Sequence, residues 1–275
     1  MENSNKKEIT SNMLWRFADK WGSQIISIVI STIIARILDP NAYGVVAIIN
    51  AFINIFSVFS DFGLSDSLIQ KKDTDDLDYS TALIANICLC VVVYLAIFVS
   101  SPFISEFYKN SDLTILIRVS AISILISSYK NIQHAYVAKH LMFKKYFFAS
   151  LLGTIGSGIL GVWMALNGYG VWSLIISNLF DMAVDTVCCW IMVNWRFKIG
   201  FSFVRLKGLF GFGSKMLLVN FVERIYNKLY QLVIGKFYTS EDLAFFDKGD
   251  NLSGKLISNV DYSISSVLFP VMSNT

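Results

Sequence analysis

STALIANICLCVVVYLAIFVSS, residues 80–101, contains no charged side chain and is long enough for an α-helix to cross the ~30 Å hydrocarbon core of a bilayer. Outward from it the pattern recurs. Apolar stretches occupy 14–38, 43–69, 113–137, 146–166, 170–193, 209–236 and 250–273, with mostly short polar breaks between them. Three breaks carry turn chemistry: Asp39-Pro40-Asn41, Ser101-Pro102 and Asn167-Gly168-Tyr169-Gly170. The expected fold is all-α, a polytopic membrane helix bundle of about eight transmembrane helices. Composition agrees. A chain of 275 residues that is 55% hydrophobic and only 16% charged has too few charges to cover the surface of a soluble globule, and its mean hydropathy is +0.56.

Cys88, Cys90, Cys188 and Cys189 fall inside apolar stretches and read as small core residues rather than a disulfide framework or a metal site. The N-terminus has Lys6 and Lys7 but lacks the short apolar core and small-residue cleavage site of a signal peptide, so it is expected to be retained. Basic residues gather on alternate sides of the spans. Lys6, Lys7, Arg16, Lys20, Lys71, Lys72, Lys139, Lys144, Lys145, Arg196, Lys198, Arg205 and Lys207 share one side; Lys109, with Arg36 and Lys236 at helix ends, marks the other. The positive-inside rule then puts both termini in the cytoplasm.

The chain also repeats itself at an offset of about 200 residues. Ile34-Ala35-Arg36 falls on Ile234-Gly235-Lys236, Asp61 on Asp261, Ser65 on Ser265 and Leu68 on Leu268. Each copy has a basic residue at one helix end and an acid midway along the next helix. The expected organisation is an N-terminal six-helix lobe, 1–200, and the first hairpin of a second, parallel lobe, 201–275. That second lobe is incomplete, so the chain reads as truncated at its C-terminus.

Polar side chains are costly in lipid, and their helical phase shows where they converge. Asn50, Asn54, Ser57, Asp61 and Ser65 share one face of the second span; Arg16, Lys20, Gln24, Ser27 and Ser31 share one of the first. Asn220, Arg224, Asn227, Lys228 and Gln231 do so on the seventh, and Asp250, Ser258, Asp261 and Ser265 on the eighth. The bland alternative is interhelical hydrogen-bond glue. Arg224 and Lys228 argue against it, because two cations one turn apart repel unless water or an anion lies between them. The candidate substrate-binding cations are therefore Arg224 and Lys228, with Lys130 beside them, to which the family resemblance adds Arg36; Gln24, Asn50, Asn54, Asn220, Asn227 and Gln231 form the polar stripe. Asp181 and Asp185, one turn apart, either pair with cations or carry a coupling proton. Arg118 is expected to snorkel. His134 and His140 lack the carboxylate or cysteine partners of a metal site. Gly153, Ser157 and Gly161 read as a close helix-packing series. The acidic segment KKDTDDLD (71–78) reads as a solvated loop, with a DxD-like metal–nucleotide site as its alternative.

Several segments together resemble the polysaccharide-exporting branch of the multidrug/oligosaccharidyl-lipid/polysaccharide (MOP) flippase superfamily, the Wzx- or WzxC-like exporters. They are ARILDPNAYG (35–44), SDFGLSDSLIQ (60–70), GYGVWSL (168–174), LKGLFGFGSK (206–215), LVIGKFYTSEDLAFFDKG (232–249) and LFPVMS (268–273). The resemblance implies export of an undecaprenyl-pyrophosphate-linked oligosaccharide across a bacterial inner membrane by two lobes that rock between open states. It implies no cofactor, no catalytic residue and no nucleic acid. It does imply membrane lipids, a polysaccharide polymerase and chain-length machinery as neighbours. Asp61, Asp181, Asp185 and Asp261 are the acids it offers for ion coupling. Two rivals stand beside it: a MATE-like cation-coupled drug antiporter on the same fold, and a membrane polymerase or glycosyltransferase. The first should carry an acidic cavity; the second needs a sizeable polar loop or a catalytic cluster.

Overall fold

The computed structural model describes residues 2–254 apart from 62, 72, 141, 194, 199 and 252. Within them lie α1 (Glu2–Ile37), α2 (Pro40–Asp61), α3 (Leu64–Gln70), α4 (Asp76–Tyr108), α5 (Leu113–Ser120), α6 (Ile122–Lys139), α7 (Phe143–Leu166), α8 (Val171–Met192) and α9 (Phe203–Phe237). A further helix, α10, runs from 240 to 251. Segments Pro40–Ser60, Asp76–Tyr108, Leu113–Lys139, Tyr146–Leu166 and Val171–Met192 are long and apolar enough to cross a membrane, and Trp21–Ile37 is a shorter apolar helix. The chain is a multi-pass membrane protein. Expected span 209–236 lies within α9, where Arg224, Lys228 and their polar neighbours dilute the apolar character. Residues 255–273 of the last expected span, Asp261 among them, lie outside the described residues.

Several expected boundaries move. The span 43–69 is two helices, broken where Gly63 takes a positive φ of 68°, a conformation that costs glycine almost nothing. Ser65 therefore belongs to α3, not to the α2 stripe, and its hydroxyl meets the Asn131 carbonyl at 3.4 Å. Pro102 breaks nothing; it lies inside α4. A proline there leaves the carbonyl four residues earlier without its donor, and the Ser101 hydroxyl donates to that Phe98 carbonyl at 2.9 Å. The loop expected at 102–112 shrinks accordingly.

α7 packs on α8 and α1 through its small residues. A Cβ on Gly158 would stand 2.1 Å from Ile30 Cδ1, and one on Gly153 would stand 3.0 Å from the Asp181 carbonyl oxygen. α9 leans on α2, α3 and α4 and is fastened to α4 at both ends. At one end Arg205 pairs with Asp75, and with the fully buried Asp78 at 3.1 Å, while Lys71 reaches Asp78 at 2.6 Å and Lys198 reaches Asp76 at 2.5 Å. Residues 71–75 are a largely exposed, solvated loop, as expected; within KKDTDDLD, Asp75, Asp76 and Asp78 meet the protein's own cations, and Asp75 and Asp78 form the capping box of α4. The Arg205 guanidinium beside Asp75 holds its carboxyl down at about 2. At the other end Tyr108 donates to the Leu232 carbonyl at 3.1 Å, and Lys236 sits 3.9 Å over the Phe107 ring.

The 200-residue offset recurs in the helices. α1 ends at Ile37 and α9 at Phe237; α2 begins at Pro40 and α10 at 240. α10 starts on a reciprocal cap, with the Thr239 hydroxyl and Asp242 carboxylate each accepting the other's backbone N–H. It then passes so close to α2 that a Cβ on Gly44 would lie 1.8 Å from the Ser240 carbonyl oxygen.

Candidate functional site

Between α1, α2, α7, α8 and α10 lies a cavity of about 850 Å³, within the range of roughly 300–1,000 Å³ usual for ligand sites. Its walls are rich in hydroxyls and carboxamides. α1 contributes Gln24, Ser27 and Ser31; α7 contributes Ser150, Thr154 and Ser157; α8 contributes Ser177, Asn178 and Asp181. Tyr43 and Asn50 of α2 and Asp247, Lys248 and Asn251 of α10 complete it. Lys248 donates to the Ser31 hydroxyl at 2.8 Å and lies 4.2 Å from the centre of the Tyr43 ring. Asp247 accepts a 2.8 Å hydrogen bond from the buried Gln231.

A second cavity, about 260 Å³, lies between α2, the α5–α6 unit and α8. Asn50, Asn54 and Ser57 face Ser120, Ser123 and Ser127 across it, and Asn178 borders both cavities. Among the described residues no charged side chain lines this smaller space.

The expected site residues divide between these walls and other places. Gln24 and Asn50 line the larger cavity, and Asn54 the smaller. Asp181 lines the larger, with the Ser157 hydroxyl 3.5 Å from Oδ1. Lys130 is half-buried and outside both cavity linings, and its ammonium lies 2.5 Å from Oδ2 of Asp185, whose side chain is only 5% exposed. Arg224 is exposed and reaches Asn54 Oδ1 at 3.4 Å, so it meets the α2 stripe without lining either cavity. Lys228 and Asn220 are half-buried and Asn227 exposed, all on α9 and outside both linings. Arg36 is exposed at the end of α1, again off both cavities. Arg118 stacks 3.9 Å over the Phe98 ring and donates to the Ser101 hydroxyl at 2.9 Å. Asp61 closes α2, and its side chain is outside what is described.

Lys248 and Asp247 were missed because the expected eighth span began at 250, leaving both in a loop. The signal was present. Thr239-Ser240-Glu241-Asp242 has the spacing of a capping box, which starts the helix early. Tyr43 was missed because a single tyrosine at the start of an apolar span carries no spacing signal.

The profile of a family described as polysaccharide biosynthesis protein matches residues 33–275. The chain belongs to that family. It is 21% identical over 266 residues to the succinoglycan biosynthesis transport protein ExoT of Rhizobium meliloti, covering 97% of this chain and 54% of that protein. To the teichuronic acid biosynthesis protein TuaB of Bacillus subtilis it is 24% identical, covering 77% of this chain and 44% of the relative. To the lipopolysaccharide biosynthesis protein WzxC of Escherichia coli it is 30% identical over 132 residues, 46% of this chain and 27% of that protein. The chain therefore spans about half the length of the first two relatives, and a shorter part of the third. Among solved structures, an inward-facing multidrug resistance MATE family transporter of the MOP superfamily matches with a TM-score of 0.57 and 14% identity, over 81% of this chain and 56% of the other. That likeness is one of fold.

Proposed function

We propose that residues 1–200 form the N-terminal lobe, and 201–275 the opening hairpin of the second lobe, of an exporter of lipid-linked oligosaccharide. Its substrate is an undecaprenyl-pyrophosphate-linked repeat unit, and it acts in a bacterial cytoplasmic membrane with the basic end of the bundle in the cytoplasm. The observation that carries this reading is the larger cavity: a space within the helices walled by hydroxyls and carboxamides and holding the Lys248 ammonium. Sugar hydroxyls need donors and acceptors in pairs, which Ser, Thr, Asn and Gln supply. A pyrophosphate leaving water needs a cation. Lys248 supplies it, with Arg224 and Lys228 on the neighbouring face of α9. Movement of the second lobe against the first then exposes the cavity to one side of the membrane at a time. A polymerase and chain-length machinery on the outer face receive the exported unit.

One observation favours a second reading, export of a cationic drug. Asp181 and Asp247 give the same cavity two carboxylates. The two readings part in a bacterium deleted for its own repeat-unit exporter. Expression of the full-length gene restores surface polysaccharide and drains the accumulated lipid-linked precursor if the first is right. Resistance to cationic drugs with no change in precursor supports the second.

A further inference from the structure

The smaller cavity, about 260 Å³ between α2, the α5–α6 unit and α8, adjoins the larger one: Val46, Asn50, Leu174 and Asn178 line both. Its walls divide by chemistry. Ile49, Ile53, Ile124, Ile175, Leu179 and Met182 are aliphatic. The polar groups are the carboxamides of Asn50, Asn54 and Asn178 and the hydroxyls of Ser57, Ser120, Ser123 and Ser127. Part of their capacity is spent on backbone. Asn54 donates to the Asn50 carbonyl at 2.8 Å, Ser57 to the Asn54 carbonyl at 2.8 Å and Ser127 to the Ile124 carbonyl at 2.7 Å. The rest is unspent. Among the described residues the side chains of Asn50, Asn178 and Ser123 make no hydrogen bond, and Ser120 Oγ is buried without a partner. A free carboxamide offers two donors and a carbonyl acceptor, and leaving such groups unmet away from water is costly.

These walls suit a narrow class of ligand. A phosphate, a sugar carboxylate or a metal cation would leave water and, among the described residues, meet no opposite charge on the lining. Arg224 reaches Asn54 Oδ1 at 3.4 Å but is not part of the lining, and Asp181 and Lys248 line the larger cavity alone. A wholly apolar group would strand the carboxamides of Asn50 and Asn178. A pyranose ring meets both demands. Its hydroxyls lie around the edge, each able to donate and accept, and its C–H faces are apolar. Two adjacent hydroxyls match one carboxamide, one donating to its carbonyl and the other accepting from its amide. Size agrees. At about 260 Å³ the space falls below the roughly 300 Å³ at which drug-sized ligand sites begin, room for one ring and not for a repeat unit.

We propose that the smaller cavity is a subsite for one uncharged pyranose ring, entered from the larger cavity past Asn50 and Asn178, whose carboxamides bind adjacent ring hydroxyls. It rejects a hexuronate, whose carboxylate finds no cation on the lining. That this ring belongs to the exported repeat unit rests on the export reading; the subsite does not. The test places a reporter thiol where it lines the smaller cavity alone, as Ser123→Cys and separately as Ser127→Cys, in the full chain in lipid nanodiscs. Circular dichroism checks that each variant is folded. A small uncharged alkylating reagent is added, and mass spectrometry of the peptide carrying the reporter separates it from the four native cysteines. The probes are the methyl glycosides of glucose, galactose and N-acetylglucosamine, with the methyl glycoside of glucuronate as the charged comparison. At least one neutral glycoside is expected to slow alkylation saturably, and the glucuronate glycoside to leave it unchanged. Asn50→Ala with Asn178→Ala should abolish the protection while the thiol still reacts. Failure of the reagent to reach either thiol overturns the proposal, as does alkylation that no neutral glycoside slows, the result for a cavity that takes water only. So does equal protection by the glucuronate glycoside, or protection that survives the double substitution. The expected protection without precursor export in the deletion strain counts against the export reading alone; export without protection counts against the subsite alone.

Discussion

Gly44→Ala and Gly249→Ala make the same chemical change in two helices, and the structure assigns them opposite outcomes. At Gly249 a new Cβ meets nothing within 4 Å, so the substitution brings only the helix-propensity gain of alanine over glycine, about 1 kcal/mol. At Gly44 the new Cβ falls 1.8 Å from the Ser240 carbonyl oxygen, 2.5 Å from its carbon and 2.8 Å from its Cα. All three are backbone atoms, so no side-chain rotation relieves the clash. To reach an ordinary contact of about 3.4 Å, the start of α10 must retreat by roughly 1.6 Å against α2. Overpacking of this kind typically costs ~1–3 kcal/mol. The propensity gain is common to both variants and cancels in their difference, which isolates the packing cost. Gly44→Ala should therefore be less stable than Gly249→Ala by about 1–3 kcal/mol. Apparent melting temperatures in one detergent, read by tryptophan fluorescence with loss of monodisperse protein as a second signal, measure it. Equal stability of the two variants would refute the close approach of α2 and α10, and with it the placement of Lys248 beside Ser31 and Tyr43.

Lys130→Met should destabilise the protein by roughly 3–5 kcal/mol, because it strands a buried partner; Asp185→Asn should cost less, since Lys130 can turn to Asp181. A thermal-stability series with the double variant checks the order. Arg205→Ala should release the connection between α8 and α9, seen as faster limited proteolysis between 194 and 203. The Asp75 carboxyl is held below its unfolded value by the Arg205 hydrogen bond, at about 2. That contact therefore contributes above pH ~4 and is lost as pH falls from there toward ~2, so proteolysis at that connection by an acid-active protease should rise over the same interval in the wild type and not in Arg205→Ala. Lys248→Gln should reduce precursor export more than Arg224→Ala does, because Lys248 lines the larger cavity and Arg224 is exposed beside Asn54.

Much of the bundle was legible in the sequence because lipid imposes one rule at a time. Apolar length alone marks 80–101 as a span. The repeat is visible for a related reason: the same helix ends recur at Ile37 and Phe237. What stayed hidden depends on single backbone details. Pro102 looked like a break because a sequence does not show that the Ser101 hydroxyl takes over the Phe98 carbonyl. The stretch 43–69 looked continuous because Asp61 and Ser65, on either side of Gly63, keep the helical phase of Asn50, Asn54 and Ser57.

The site was legible as chemistry and less so as geometry. Gln24, Ser27 and Ser31 of α1 and Asn50, Asn54 and Ser57 of α2 do face cavities, since helical phase follows directly from spacing. Phase does not say what stands opposite. Lys130 met Asp185, whereas Arg224 met the carboxamide of Asn54, and neither meeting can be read from one helix at a time. Lys248 was invisible for a third reason. Its helix begins ten residues earlier than apolar length suggests, at 240 rather than 250, because a polar first turn with a good cap is helical without being hydrophobic.

The central claim, that the larger cavity holds the lipid-linked oligosaccharide, is tested most directly by photo-crosslinking in living cells. A photoreactive amino acid is placed at Asn178, on the cavity wall, and separately at Ile191, which is 70% exposed on the outer surface of α8, in a strain making radiolabelled precursor. The account predicts a radiolabelled glycolipid adduct at 178 that unlabelled precursor competes away, and none that competes at 191. Equal labelling at both positions, or competable labelling at 191 alone, would contradict it.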